Sequence, residues 1–325
     1  VVKTTVRKTT NGPVQMTLST SGWLFAVEHE TAHYSNDYGK TWNDFSDQGI
    51  DLAHFKYFFS SRSGTVFGIR QNGSLYRSND NGVNWAFSAF GLQEAWVREL
   101  DFLSDREIMA RTSDGLFHSS DKGKKWNLLA VLLGNVADDV PRERVAFDER
   151  GKTVYYLDAT GLYRIDLPGT IPVHITATLF NTKRSFSLHA HPLTSTLFAW
   201  DEAGFYRSEN AGTQWQDLGM AGIHQVYSFP SGEMIAISES AIMRSVDDGN
   251  LWDRIHVFKD KISLSSNLAT NGFSRVFFTA FGLGGGSILY RSDDRGMSWN
   301  TQLVSGDRGL PLNPASRIAS SQTGQ

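Results

Sequence analysis

Apolar residues in this chain come in short runs closed by turn residues, not in helical stripes. Residues 54–90 show the pattern: "HFKYFFSS" ends at "RSG", "TVFGIR" at "QNGS", "LYRS" at a polar turn, and "WAFSAF" follows. Runs rich in Val, Ile, Phe and Tyr, each closed by Gly, Asn or Ser, predict β-strands joined by tight turns. No segment carries a convincing helical period, apart from a turn or two expected within 129–140.

The polar turn after the third run is repeated. It reads "HYSNDYGKTW" at 33–42, "YRSNDNGVNW" at 76–85, "FHSSDKGKKW" at 117–126, "FYRSENAGTQW" at 205–215, "MRSVDDGNLW" at 243–252 and "YRSDDRGMSW" at 290–299. The frame is Ser, any, Asp or Asn, any, Gly, two of any, Trp. It is filled by Ser35, Asp37, Gly39 and Trp42; Ser78, Asp80, Gly82 and Trp85; and Ser119, Asp121, Gly123 and Trp126. The second half of the chain supplies Ser208, Asn210, Gly212 and Trp215; Ser245, Asp247, Gly249 and Trp252; and Ser292, Asp294, Gly296 and Trp299. The Trp spacings are 43, 41, 89, 37 and 47, so a degenerate unit is expected inside the double gap. It lies at 153–166, where "TVYYLDATGLYRID" matches "TVFGIRQNGSLYRS" at 65–78 without the Ser-Asp-Gly-Trp tail. Seven units of roughly 45 residues with four strands each predict an all-β, seven-bladed β-propeller of four-stranded antiparallel blades. It should span 1–311, with repeated turns at 35–42, 78–85, 119–126, 208–215, 245–252 and 292–299, a degenerate one near 153–168, and a tail or linker at 312–325.

The turn residues are readable as physics. The Asp or Asn accepts backbone N–H bonds within the turn, and the Ser offers a further side-chain bond. The Gly supplies a backbone shape that a Cβ forbids. The Trp opens the fourth strand, buries its ring between neighbouring sheets and needs a partner for its N–H. The alternating carboxylates and distal Glu of a calcium-binding helix–loop–helix site are missing, so these turns read as structure and not as metal sites.

The frame S-x-D-x-G-x-[ST]-W resembles the Asp box, or BNR repeat, of the sialidase-like and sortilin-like propellers, and its copies span the chain. The resemblance implies that the boxes sit on the rim of the face opposite the ligand site. It does not choose a function, because that family includes sialidases, xyloglucanase domains, a photosystem II assembly factor and sortilin-type receptors. Sialidase chemistry requires three arginines clamping a carboxylate, an acid/base Asp and a Tyr nucleophile activated by a Glu. The family's early "[FY]-R-I-P" motif is missing, and the nearest string, "YRID" at 163–166, falls in a third strand. No pattern selects three among Arg70, Arg98, Arg111, Arg142 and Arg275.

Composition narrows the classes. The 325 residues are 40% hydrophobic and 20% charged, with net charge −3 and no Lys/Arg cluster, so nucleic-acid binding has no electrostatic footprint. Apolar runs such as "LLAVLL" at 128–133 are too short to cross a bilayer, and zero cysteines exclude disulfides and thiolate chemistry. The chain starts at Val1 without Met, which suggests a processed N-terminus. An extracellular, cell-surface or periplasmic location is expected, with a cytosolic one left open.

The face opposite the repeated turns carries the functional candidates. Its second-to-third strand turns offer Glu28, His29 and Glu30; Arg70, Gln71 and Asn72; Arg111 and Asp114; Asp158; Asp201 and Glu202; Glu239; and the loop "AFGLGGGS" at 280–287. The inter-blade segments add Trp96, Arg98, Glu99, Asp138, Asp139, Arg142 and His224. His29, Arg70, Trp96, Arg98, Arg111, Arg142 and His224 are the candidate ligand contacts. A glycoside hydrolase would need two facing carboxylates roughly 5–10 Å apart, drawn from Glu28, Asp114, Asp158, Asp201, Glu202 and Glu239. "HAH" at 189–191 places two His on one strand face without a third metal ligand, which reads as structural. "GLGGGS" joins two strands with no helix after it, so the dinucleotide-loop mechanism is missing and a flexible hairpin tip is expected. The segment 3–10 has the Thr/Val content of an outer strand that would close the last blade beside 299–304. The expectation is a monomeric propeller, or part of a larger chain, without cofactor or metal. It should bind a protein or glycan partner on this mixed-charge face, and glycoside hydrolysis is the alternative.

Overall fold

The computed structural model describes residues 15–19, 23–28, 31–36, 43–44, 54–61, 64–92, 95–102, 106–131, 145–148, 150, 152–158, 160–180, 186–264, 269–270, 274–281 and 287–303. Their strands pair into seven antiparallel sheets, each an up-and-down run of consecutive strands. The sheets span 15–44, 55–87, 97–130, 145–175, 187–217, 223–257 and 263–303, and are numbered here 1 to 7. Six have four strands. In sheet 7 the first position is filled by two short strands, Ser263–Leu264 and Ala269–Thr270, both pairing with Val276–Phe281. The segment 3–10 lies outside the described residues, and among these no strand from one end of the chain joins the sheet at the other.

The second strand of a sheet explains why the apolar runs are continuous and not alternating. In Thr153–Asp158, Val154 and Tyr156 pack into a core shared with sheet 3, while Tyr155 and Leu157 pack into one shared with sheet 5. Leu197–Trp200 does the same: Leu197 and Ala199 face sheet 4, and Phe198 and Trp200 face sheet 6. Such cores join each consecutive pair of sheets from 1 to 7. A strand buried on both faces reads as a near-continuous apolar run. The first strands lie side by side, Gln15–Leu18 against Phe55–Ser60 and Val145–Asp148 against Ser187–Ala190.

Some expected strands are shorter than their sequence. "WAFSAF" contributes only Ala86–Phe87, because the chain turns back at 88–92, where Leu92 N–H bonds Ala89 O. The expected helical turn in 129–140 is replaced, as far as it is described, by the strand Asn127–Ala130, which pairs with Leu116–Ser119. The one helical element among the described residues is a 3-10 turn, Thr178–Phe180.

Five of the repeated turns are described, and they share one bonding scheme; of the first, only Ser35 and Asn36 are described, so Asp37, Gly39 and Trp42 lie outside. At 245–252 the buried Ser245 hydroxyl accepts the Gly249 N–H at 2.9 Å and donates to Asp247 Oδ1 at 2.8 Å. Asp247 Oδ1 also accepts the Leu251 N–H at 3.0 Å, and Trp252 Nε1 donates to Gly249 O at 3.0 Å. Ser78, Ser208 and Ser292 repeat the scheme with Gly82, Gly212 and Gly296. At the third turn Ser119 still holds Gly123 at 2.9 Å, but Trp126 Nε1 donates to Ser88 O of sheet 2 at 2.9 Å. Burial works against the Asp80 charge, yet the Asn84 N–H and the Ser78 hydroxyl outweigh it and hold that carboxyl below its ordinary range. Asp121, Asp247 and Asp294 are held low in the same way.

Four of the described turns also dock on the preceding sheet, through Gly123, Gly212, Gly249 and Gly296. A Cβ on Gly249, where φ is +73°, would come within 2.5 Å of the Phe198 ring in sheet 5. Arg207, buried in sheet 5, donates from Nε to Asp248 O at 2.8 Å and from Nη2 to Asp248 Oδ2 at 3.1 Å. Thr194 and Thr196 of sheet 5 donate to the same carboxylate at 2.6 Å.

Removing the Ser245 hydroxyl leaves a buried N–H and a carboxylate short of a partner. Ser245→Ala is expected to lower unfolding free energy by about 1–3 kcal/mol. Gly249→Ala, which meets a ring in a left-handed backbone, should cost more. Urea unfolding of both variants checks this, and a midpoint unchanged in either would remove the turn from the list of stabilising elements.

Candidate functional site: the face opposite the repeated turns

In an antiparallel four-stranded sheet the second-to-third turn lies at the end opposite the third-to-fourth turn. At that end, turns of neighbouring sheets are tied through the connecting segments by backbone bonds. Val97 N–H bonds Gly73 O at 3.1 Å, and Ser113 N–H bonds Trp96 O at 2.9 Å, so Trp96 bridges the turns of sheets 2 and 3. Gly222 N–H bonds Glu202 O at 3.2 Å and Glu239 N–H bonds Gly222 O at 3.0 Å, the same arrangement between sheets 5 and 6. Ile262 N–H bonds Glu239 O at 2.8 Å and carries it to sheet 7.

The candidates fall into distinct roles. Asp158 caps its own turn, accepting the Thr160 N–H and hydroxyl, each at 2.7 Å. Asp201 does so through the Ala203 and Gly204 N–H groups. Glu239 pairs with Lys261, Glu202 is exposed, and Asp114 accepts the Ser113 hydroxyl at 2.7 Å. Glu28 ends the strand Leu24–Glu28. His29, Glu30, Asp138, Asp139, Arg142 and the core of the 280–287 loop lie outside the described residues.

Arg111 and Glu99 are each 6% exposed and bond each other across adjacent strands, so Arg111 faces the interior and not a ligand. Arg98, Glu99 and His224, read from the sequence as inter-blade, belong to the first strands Val97–Phe102 and Ile223–Ser228. Arg70 closes the strand Val66–Arg70, its guanidinium 4.7 Å from the Tyr76 ring centre and 5.7 Å from that of Phe55. That is within reach of cation–π attraction.

The sheet 2–3 sector exposes aromatic surface on this face. Trp96 is 58% exposed although its backbone is held on both sides, its N–H bonding Ser113 Oγ at 3.0 Å. It packs directly on the Gly73 turn, where a Cβ would come within 2.7 Å of Trp96 Cα. Beside it a cleft of about 230 Å³ is lined by Asn72, Gly73, Ser74, Phe87, Ala89 and Val97 among others. Phe87, 62% exposed, meets the Tyr76 ring edge-on at 5.4 Å. Phe87 was missed in the sequence because it reads as an ordinary strand residue; only the shortness of its strand leaves it open.

The two His of "HAH" have protein partners. His189 Nε2 bonds Ser228 Oγ at 2.7 Å, and His191 Nε2 bonds Gly232 O at 2.9 Å. Among the described residues no group of three His, Cys, Asp or Glu is placed to hold a metal, and no helix is long and apolar enough to cross a membrane.

With this geometry in hand, comparisons with known proteins agree on the architecture. The family model described as the DUF6242 beta propeller domain matches residues 15–155. No curated protein matches the chain. Among solved structures, YCF48 from Cyanidioschyzon merolae aligns with a TM-score of 0.57 at 14% identity, over 88% of this chain and 97% of that one. YCF48 bound to D1 peptide gives 0.55 at 15% identity, over 87% and 92%. Selenomethionine-substituted virginiamycin B lyase from Staphylococcus aureus gives 0.53 at 11% identity, over 83% and 92%. These likenesses establish the fold, a β-propeller, and at such identities they establish nothing more.

Burial, with His191 beside it, pushes the His189 pKa from 6.5 down to about 4. The unfolded chain therefore binds the extra proton first, so this stability is complete above pH 6.5 and is lost as pH falls towards 4. Between pH 7 and pH 5 the loss from this residue is expected to be about 2 kcal/mol. Urea unfolding of wild type and His189→Gln at both pH values checks it. Equal pH slopes in the two proteins would contradict it.

Proposed function

We propose that this β-propeller has seven blades, one per sheet, and that its repeated turns are Asp boxes that staple each blade. We propose further that it is a binding module for a protein partner, docked on the face opposite the boxes at the junction of blades 2 and 3. The observation that carries the reading is Trp96. A large indole left 58% exposed on a backbone tied to two turns is a rigid aromatic anchor, the residue type on which interface energies concentrate. Phe87 and the adjoining cleft enlarge the apolar surface, while Asn72 and Ser74 supply polar groups at its edge. That YCF48 is known bound to D1 peptide fits a propeller of like architecture holding a polypeptide. Hydrolysis is the weaker reading, because Asp158 and Asp201 are engaged in capping their own turns and Glu239 pairs with Lys261.

A photoreactive residue placed at Phe87, with one at Val83 on the Asp-box side as control, should capture a protein partner only from the first position. Calorimetry of that partner should then find Trp96→Ala weakened by about 2 kcal/mol, roughly thirtyfold. Capture from both positions, or an affinity indifferent to Trp96, would sink the proposal. Retention on defined glycan spots that disappears in Trp96→Ala would replace the protein by a sugar.

A further inference from the structure

The cleft beside Trp96 opens onto the protein's interior. Leu75, Leu92, Ala95 and Val97, all buried, form part of its wall and belong to the core shared by sheets 2 and 3. That wall is fixed by backbone bonds. Ser88 N–H bonds Leu75 O at 2.8 Å, Leu92 N–H bonds Ala89 O at 2.8 Å, and Ala95 N–H bonds Leu92 O at 3.0 Å. Sheet 3 adds two ties, Trp126 N–H to Phe90 O at 2.8 Å and Trp126 Nε1 to Ser88 O at 2.9 Å.

Val97 stands at a bulge that opens the first strand of sheet 3. It pairs with Thr112 and Glu99 pairs with Arg111, leaving Arg98 out of register. Bulges at Lys56 and His224 open the first strands of sheets 2 and 6 in the same way. Val97 therefore lines the cleft, while Glu99 pairs with Arg111 inside. A hollow whose walls are held apart forfeits contacts that its lining would otherwise make. The small side chains at Ala89 and Ala95 leave that space open.

Charge and size decide what the cleft accepts. Among the described residues lining it none is charged, and Asn72 and Ser74 supply its polar side chains. Asn72 Oδ1 already accepts the Ser74 N–H at 3.1 Å. A charged group would lose its hydration there without a counter-charge, and a sugar would leave several hydroxyls unpaired. An apolar side chain would instead extend a core that is already present. The volume of about 230 Å³ suits a ring, since an apolar cavity of about 150 Å³ admits benzene. Phe87, 62% exposed at the cleft, offers an aromatic surface to meet it.

We infer that the cleft receives an aromatic side chain of the partner, its ring set between Phe87 and the leucines Leu75 and Leu92, an inference that rests on the protein-binding reading above. The chain on either side of that ring then covers Trp96.

The test uses the full chain with isotope-labelled Leu and Val methyl groups, titrated with small probes and read by nuclear magnetic resonance. N-acetylphenylalaninamide should shift the Leu75, Leu92 and Val97 methyl signals saturably, while the amide of N-acetylglutamate and methyl glucoside should not. Phe87→Ala should weaken the aromatic probe about fivefold and erase its preference over N-acetylleucinamide. Ala89→Leu, which places a side chain in the space, should abolish the shifts while methyl signals far from the cleft keep their positions. Phe87 is exposed, so its variant carries no folding ambiguity. Cleft methyls unmoved by the aromatic probe, or moved as strongly by glutamate or glucoside, overturn the inference. If the captured partner depends on Trp96 but binds Ala89→Leu as well as wild type, the aromatic-insertion inference falls and the protein-binding proposal stands.

Discussion

A buried serine hydroxyl is the interaction on which this architecture turns. In each described copy of the repeated turn it accepts the glycine N–H four residues on and donates to an Asp or Asn two residues on. Those two bonds close the link between third and fourth strands and hold the chain in two consecutive left-handed residues, such as Asp248 and Gly249. At Gly123, Gly212, Gly249 and Gly296 the turn then presents its glycine to the preceding sheet with no side chain in the way. One hydroxyl therefore governs both the inside of a blade and its seam with the one before.

From that seam follows the geometry of the opposite face. The second strands of sheets 2 to 6 each belong to two cores, so their positions are fixed from both sides. The turns after those strands inherit the same rigidity, and backbone bonds through Trp96 and Gly222 link them sideways. An exposed indole on such a base loses little conformational freedom when it is covered by a partner. The apolar interior is what makes the face opposite the repeated turns stiff.

The sheets were legible because each relied on local chemistry. Ser, Asp, Gly and Trp at fixed offsets announce a turn, and continuous apolar runs such as "TVYYL" announce a strand covered on both faces. The degenerate unit could be placed because its second and third strands kept that pattern even though the turn after them did not. The face opposite the repeated turns was legible only in outline. Arg111 and Glu99 lie twelve residues apart, and nothing local says that pairing of their strands will bury them against each other. Arg98 and His224 read as connector residues because a bulge leaves no mark in the alternation of a short strand. Trp96 was recognisable as a candidate from its position, but its exposure is set by the neighbouring turns.

The bulges carry a consequence for how such a molecule can change. Gaining or losing one residue at the start of a first strand changes which residue is left out of register, as Lys56, Arg98 and His224 are, while the second strand stays where it is. A single-codon insertion or deletion is normally ruinous inside a sheet, because it turns every later side chain over. Here the slip is absorbed at the start of an edge strand, so that end of the molecule can be rewritten one sheet at a time, like the pins of a lock recut singly within an unaltered barrel.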